Sequence, residues 1–289
     1  MGIVLSILSA ILWAVFDVIR KKAVKDNSEI SIILLIITSQ LIFFLILLPL
    51  STFIIDISAY LFTALILIIL NLISIFLFLK VLKSGAISVY IPMLSFTPLF
   101  SALYSNVILN EELKSLQYLG MLLIVIGSLI LHLNKYRFKN LINILFLLDK
   151  KAIMILLVAL IWSLTPVLDK ECLKYTDIYL HGFLQSLGML LILPVLLNNT
   201  KKKTLYQNFT FRNNLVLCFL VIFAFLTTYF QLLALKYIYV AELESLKRAI
   251  GIILSLLFGY YLFKENMGIK KLFAVSVILI GVINTINFT

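Results

Sequence analysis

The chain has 289 residues, 63% of them hydrophobic and 13% charged, with a formal net charge of +11. Its mean hydropathy is +1.15. A water-soluble globule is excluded, because so few charged residues cannot furnish a wetted shell. In lipid every backbone N–H and C=O must be satisfied within the protein, which leaves helices or a closed barrel. The apolar runs here are far longer than barrel strands, so the fold class is all-α integral membrane. The cations fall between apolar runs and not along one stripe, so they orient helices, and no nucleic-acid partner is expected.

Taken in chain order, the runs between charges predict ten transmembrane helices. Gly2–Val15 leads to Asp17 and Arg20 as span 1. Arg20, Lys21 and Lys22 follow the run, the reverse of a secretory signal. Spans 2 to 5 are Ile30–Ile55, Ile57–Leu79, Ser84–Asn110 and Ser115–Asn134. Asn140–Leu148 is too short to cross and is expected in the interface. Spans 6 to 8 are Ala152–Leu168, Ile178–Thr200 and Asn213–Leu235. Span 9 lies between Lys236 and Lys264 and carries four charges; span 10 is Leu272–Thr289. Cys172 and Cys218 lie in or beside apolar runs and read as buried small hydrophobes without a disulfide.

The halves repeat. Shifting the second back by 149 lays Trp162 on Trp13, Ala159 on Ala10, Val167 on Val18 and Lys170 on Lys21. Nearby shifts lay Gln185 on Gln40, Pro194 on Pro49, Lys236 on Lys83 and Gly281 on Gly127. The expected organisation is a first five-helix repeat over 1–134, a linker over 135–150 and a second repeat over 151–289. Five crossings per unit force the copies into opposite orientations, and two inverted repeats are a recurring transporter plan with the site at their interface. Eighteen Lys and Arg fall in the loops after spans 1, 3, 5, 7 and 9, and four in the remaining loops. That bias puts the first set in the cytoplasm and both termini outside.

Trp13 and Trp162, Leu82-Lys83 and Leu235-Lys236, Glu112 and Glu265, Gly127 and Gly281 occupy matching places in the two halves. With that order and duplication the chain resembles the EamA-type members of the drug/metabolite transporter superfamily over essentially its whole length. The resemblance implies ten helices, a central cavity, a small-molecule substrate and transport driven by an ion or solute gradient. The expected function is secondary transport of a small polar, anionic, amino-acid-like or related metabolite across the cell (inner) membrane by alternating access. A lipid-headgroup flippase or a membrane-embedded enzyme is the alternative. The Ser51–Ala59 loop lacks the basic residues common in the family, and AELESLKRAIG at the start of span 9 is charged where many members are apolar.

Candidate site residues follow from the cost of intramembrane charge. Lys247 and Arg248 lie well inside span 9, and Glu244 shares their face at three- and four-residue spacing. Either cation can hold a carboxylate or phosphate, with Glu244 pairing Arg248 as the purely structural reading. Trp13 and Trp162 are expected to line a cavity. Asn71, Gln185, Tyr229 and Gln231 are mid-span polar groups that bind substrate or tie helices, and Gln40 reads the same way. Asp17 and Glu242 are the gating or coupling candidates, and Asp169, at the end of span 6, resembles Asp17 in position. Gly251, Ser255 and Gly259 form a small-residue stripe for packing against span 4 or a partner protomer of a homodimer. Pro92, Pro98 and Pro166 are candidate helix breaks. His132 and His181 stand apart near helix ends, and no zinc signature or GK[ST] phosphate loop occurs, so no cofactor, metal or enzyme activity is expected.

Overall fold

The computed structural model describes residues 1–84, 94–132, 150–197, 214–263 and 268–286. These form ten α-helices and one short 3-10 turn. In the first half they are α1 (Gly2–Asp26), α2 (Glu29–Leu47), α3 (Ile57–Ser84), α4 (Thr97–Leu109) and α5 (Ser115–His132). The second half has α6 (Lys150–Cys172), α7 (Ile178–Leu196), α8 (Asn214–Leu235), α9 (Val240–Phe263) and α10 (Ile269–Thr285). Six of them, α1 to α3 and α6 to α8, contain stretches long and apolar enough to cross a membrane; α4, α5 and α10 are apolar but shorter. Their outward residues are bare hydrocarbon, with Phe62, Val107, Val195 and Leu215 all more than 70% exposed. Such a surface suits lipid and not water.

One expectation needs correction, that of a buried Cys218. Span 4 is described from Leu94, which is helical; a turn at Ser95 and Phe96 follows, and Pro98 sits in the first turn of α4, where a missing N–H costs nothing. Pro98 therefore opens a helix just after a break, whereas Pro166 lies inside α6. Pro92, Glu265 and Asn140–Leu148 lie outside the described residues. Cys172 is buried as expected, but Cys218 is exposed on α8.

The packing has a two-fold pattern. Helix α1 lies against α8 and α9, and α6 lies against α3 and α4. The pairs α2–α7, α4–α9 and α5–α10 also pack together, and α2–α8 is matched by α3–α7. Exchanging each helix for the one five places along maps this set onto itself. The α5–α10 pair is the tightest, because glycine meets glycine. A Cβ at Gly120 would stand 2.5 Å from the Gly281 carbonyl oxygen, and one at Gly281 would stand 2.7 Å from the Gly120 oxygen. Gly127 abuts Ile278 and the Ala274 carbonyl in the same seam. At Gly251, by contrast, a Cβ meets nothing within 4 Å, so the stripe proposed on span 9 makes no close approach there. Ser255 and Gly259 fall outside the described side chains.

Polar ties between the halves gather at the end bearing the α2–α3, α4–α5, α6–α7 and α8–α9 loops. Asp177 caps α7, accepting from the Tyr179 and Leu180 N–H groups, while its other oxygen accepts from Ser51 Oγ and Thr52 N. The Asp56 N–H donates to the Tyr175 carbonyl at 3.2 Å. Buried Glu111 accepts from Lys170 Nζ at 2.6 Å and from the Val240 N–H at 2.9 Å. Lys170 also reaches the Ile238 carbonyl at 2.6 Å. Of the two adjacent acids, it is Glu111 that bridges the halves, while Glu112 is exposed. Lys83, at the opposite end, stays within the first half, on Glu29 and the Asn27 carbonyl.

Burial alone would push the Asp177 carboxyl up, but the donors from Ser51, Leu180 and Thr52 outweigh it and hold its pKa below the ordinary carboxylate value. A depressed native pKa adds stability above the unfolded pKa and loses it as pH falls through the native one. Asp177→Ala should therefore lower stability by about 1–2 kcal/mol at pH 7, the usual cost of a lost cap. Below the ordinary carboxylate range wild type and variant should converge in thermal melts of the detergent-purified protein.

Candidate functional site

Four helices bring aromatic rings and cations together: α1, α3, α6 and α9. Trp13 and Phe16 stand one turn apart on α1, with ring centroids 5.8 Å apart and edge to face. Trp162 on α6 lies 4.5 Å from Phe78 on α3, and its indole N–H donates to Ser74 Oγ at 3.1 Å. The Arg20 guanidinium sits among these four rings, between 4.6 and 5.6 Å from each centroid. Each contact of this kind contributes about 0.5–2 kcal/mol. Arg20 is 2% exposed and is the largest fully buried side chain of the protein's described residues. Its counter-ion is Asp17, one turn back and half-exposed.

Sequence reasoning missed Arg20, counting it as a loop cation. Helix α1 runs on to Asp26, which draws Arg20 inside. A signal existed: Gly2–Val15 alone is shorter than the roughly 17 residues a spanning helix needs, so the helix had to take in the cations that follow.

Helix α9 adds the second group. Lys247 lies seven residues past its start, about 10 Å along the axis. Its ammonium donates to Glu244 Oε1 at 2.6 Å and to Gln231 Oε1 at 2.8 Å, and lies 5.0 Å from the Trp13 ring centroid. Arg248 donates from Nε to Thr97 Oγ1 at 2.7 Å, reaches Glu244 Oε2 at 3.8 Å and lies 5.8 Å from the Trp162 ring centroid. Glu244 is fully buried and faces both cations. Asp17 and Arg20 stand within electrostatic reach of Arg248. Three cations thus share a site with two carboxylates, and each of the repeat-related tryptophans bridges Arg20 to one cation of α9. Among the described residues the Trp13 indole nitrogen and Arg20 Nε are buried without a hydrogen-bond partner.

The remaining candidates lie elsewhere. Gln185 donates to Asp169 Oδ1 at 3.0 Å, in a buried network that also holds His181 and Tyr60. Tyr229 belongs to a ring column with Phe225, Phe230 and Tyr179. Glu242 accepts from Gln117 Nε2 at 2.9 Å beside the α5–α10 seam. Gln40 donates to Thr228 Oγ1 and the Ala224 carbonyl, tying α2 to α8. Asn71 is half-buried one turn from Ser74, and no described side-chain contact joins it to the cluster. An apolar groove of about 220 Å³ between α2, α3 and α7, lined by Ile33, Leu72, Phe76 and Leu193, suits hydrocarbon and not a polar solute.

No curated protein matches the sequence. One solved structure, titled "Crystal structure of protein", is similar in fold, with a TM-score of 0.72 at 13% identity over 98% of this chain and 96% of that one. The EamA-like transporter family matches residues 1–133 and again 149–286, one match for each half of the packing pattern. The chain is a multi-pass membrane protein and belongs to the EamA-like transporter family.

Proposed function

We propose that the protein is a secondary transporter of a small organic anion, amino-acid-like or related, working by alternating access between two inverted five-helix repeats. One observation carries the anionic specificity: Arg20, Lys247 and Arg248 converge on the two tryptophans, and among the described residues Asp17 and Glu244 are the carboxylates that offset them. An odd cation in a low-dielectric site favours an anionic ligand. The rings supply apolar walls for its body, and Arg248 offers a planar fork for a carboxylate or phosphate.

The inverted arrangement is supported by the packing pattern, which maps onto itself when each helix is exchanged for its counterpart five along. It is supported again by the loops, since those joined by polar ties are all ones that a ten-crossing serpentine puts on one side. The ties through Asp177 and Glu111 read as a closed gate on that side, so substrate would enter from the other. Loop charge places the tied side outside and both termini with it. The cell (inner) membrane is the expected location.

A thermal-shift screen of purified protein tests the substrate class. L-glutamate and glycerol 3-phosphate represent anions, glucose neutral solutes and L-lysine cations. An anion should raise the melting temperature of wild type and not of Arg248→Ala, while both proteins insert alike. Stabilisation by L-lysine or glucose alone would overturn the anionic reading.

A further inference from the structure

A second buried polar cluster takes no part in the site above. His181 on α7 is fully buried. Its Nδ1 lies 3.0 Å from the Tyr60 hydroxyl on α3, and its Nε2 lies 3.2 Å from Asp169 Oδ1 on α6. Gln185 Nε2 donates to the same Oδ1 at 3.0 Å. Tyr60, Asp169 and Gln185 are themselves less than 10% exposed. The Tyr60 contact crosses from the first half to the second, beside the Asp56–Tyr175 and Asp177–Ser51 ties.

We infer that the Asp169–His181 pair is a proton-binding site whose occupancy loosens the tie between the halves. A neutral imidazole satisfies all the contacts: the Tyr60 O–H donates to Nδ1, and Nε2–H donates to the Asp169 carboxylate. A proton arriving on Nδ1 makes an imidazolium that is paired by Asp169, so the added charge is compensated in place. Nδ1 is then a donor, and the Tyr60 oxygen must turn from donor to acceptor. The buried phenol hydrogen loses its only described acceptor, which penalises the Tyr60 contact.

Among the described residues, Tyr60 on α3 and Cys172 on α6 stand within electrostatic reach of Asp169. Lys170 and Glu171 follow Asp169 in the chain, Asp177 caps the helix that carries His181, and Asp56 precedes α3. Lys170 is held by Glu111. The duplication adds a contrast: the 149-residue shift lays Asp169 on Arg20. The copy in the first half is a permanent cation in the anion site, while the copy in the second half is protonatable and sits at the tied end. The use of this proton to drive transport rests on the transporter reading above; its uptake does not.

The chain has two histidines, so His132→Asn leaves one imidazole signal. In ¹⁵N-histidine-labelled protein in lipid nanodiscs, the His181 signal should pass from neutral imidazole to imidazolium as the medium is acidified. Asp169→Asn should suppress that change, because the imidazolium would be left buried without a counter-charge. Spin labels at Thr52→Cys and Thr176→Cys, with Cys172→Ala and Cys218→Ala, should show an inter-half distance that shifts with the same midpoint. Tyr60→Phe keeps the ring and should leave His181 titrating while the distance ceases to follow pH, which covers the case in which Asp169→Asn fails to fold. A His181 that stays neutral throughout, or one that titrates while the distance stays fixed in wild type, would overturn the inference. Absence of anion transport with both titrations present would count against the transport reading alone.

Discussion

Leucine at Gly281 should leave the α5–α10 pair unable to close. The obstacle is backbone against backbone: the new Cβ would sit 2.7 Å from the Gly120 carbonyl oxygen and 3.0 Å from the Ile124 nitrogen. Neither atom can rotate away as a flexible side chain would. Overpacking usually costs about 1–3 kcal/mol, and a block by main chain belongs at the upper end or beyond. The loss reaches further than one contact, because Gln117 on α5 donates to the Thr285 carbonyl on α10 and to Glu242 on α9. Gly251→Ala is the matched control, since a Cβ there meets open space and alanine favours the helix. Melting of the two variants in one detergent should show a large drop for Gly281→Leu and none for Gly251→Ala. Equal melting temperatures would mean that the glycine seam does not hold the pair.

Removing Glu244 should be nearly as damaging. It is fully buried and is the shared counter-ion of Lys247 and Arg248. Its loss leaves two interior cations short of negative charge, and breaking a buried pair by deleting one partner costs about 3–5 kcal/mol. Gln231 and Thr97 remain as acceptors for the two cations but carry no charge. Glu244→Ala should thus express poorly or melt early. Glu244→Gln combined with Lys247→Met should recover much of the stability, because the orphaned charge is removed with its partner. The double variant faring as badly as Glu244→Ala would show that Glu244 matters for packing and not for charge.

How much of this was legible beforehand depended on the kind of signal. Hydrocarbon runs bracketed by charges located the helices well, because a lipid core tolerates few other arrangements. The turn at Ser95 and Phe96 was not placed in the sequence, because Pro98 fits a helix's first turn as readily as its interior breaks one. Lys247 and Arg248 were found because charge deep inside an apolar run is costly and conspicuous. Arg20 was not, since it stands next to Lys21 and Lys22 and resembles an interface cation until the helix is seen to continue past it. His181 was set aside as a helix-end histidine. Its partner Tyr60 is 121 residues away, and only packing of α3 against α6 and α7 brings it to His181 and Asp169. The glycine seam was half visible: Gly127 and Gly281 stood out by repetition, but Gly120, which meets Gly281 directly, has no glycine counterpart by the same shift.

The central claim is that an anion binds between the two tryptophans of the two halves. The chain has only those two tryptophans, so its indole fluorescence reports on this site alone. Titrating reconstituted protein with L-glutamate or glycerol 3-phosphate should give a saturable change in that emission, lost in Arg248→Ala and weakened in Lys247→Met. Emission indifferent to both anions, or responding equally in Arg248→Ala, would contradict the account.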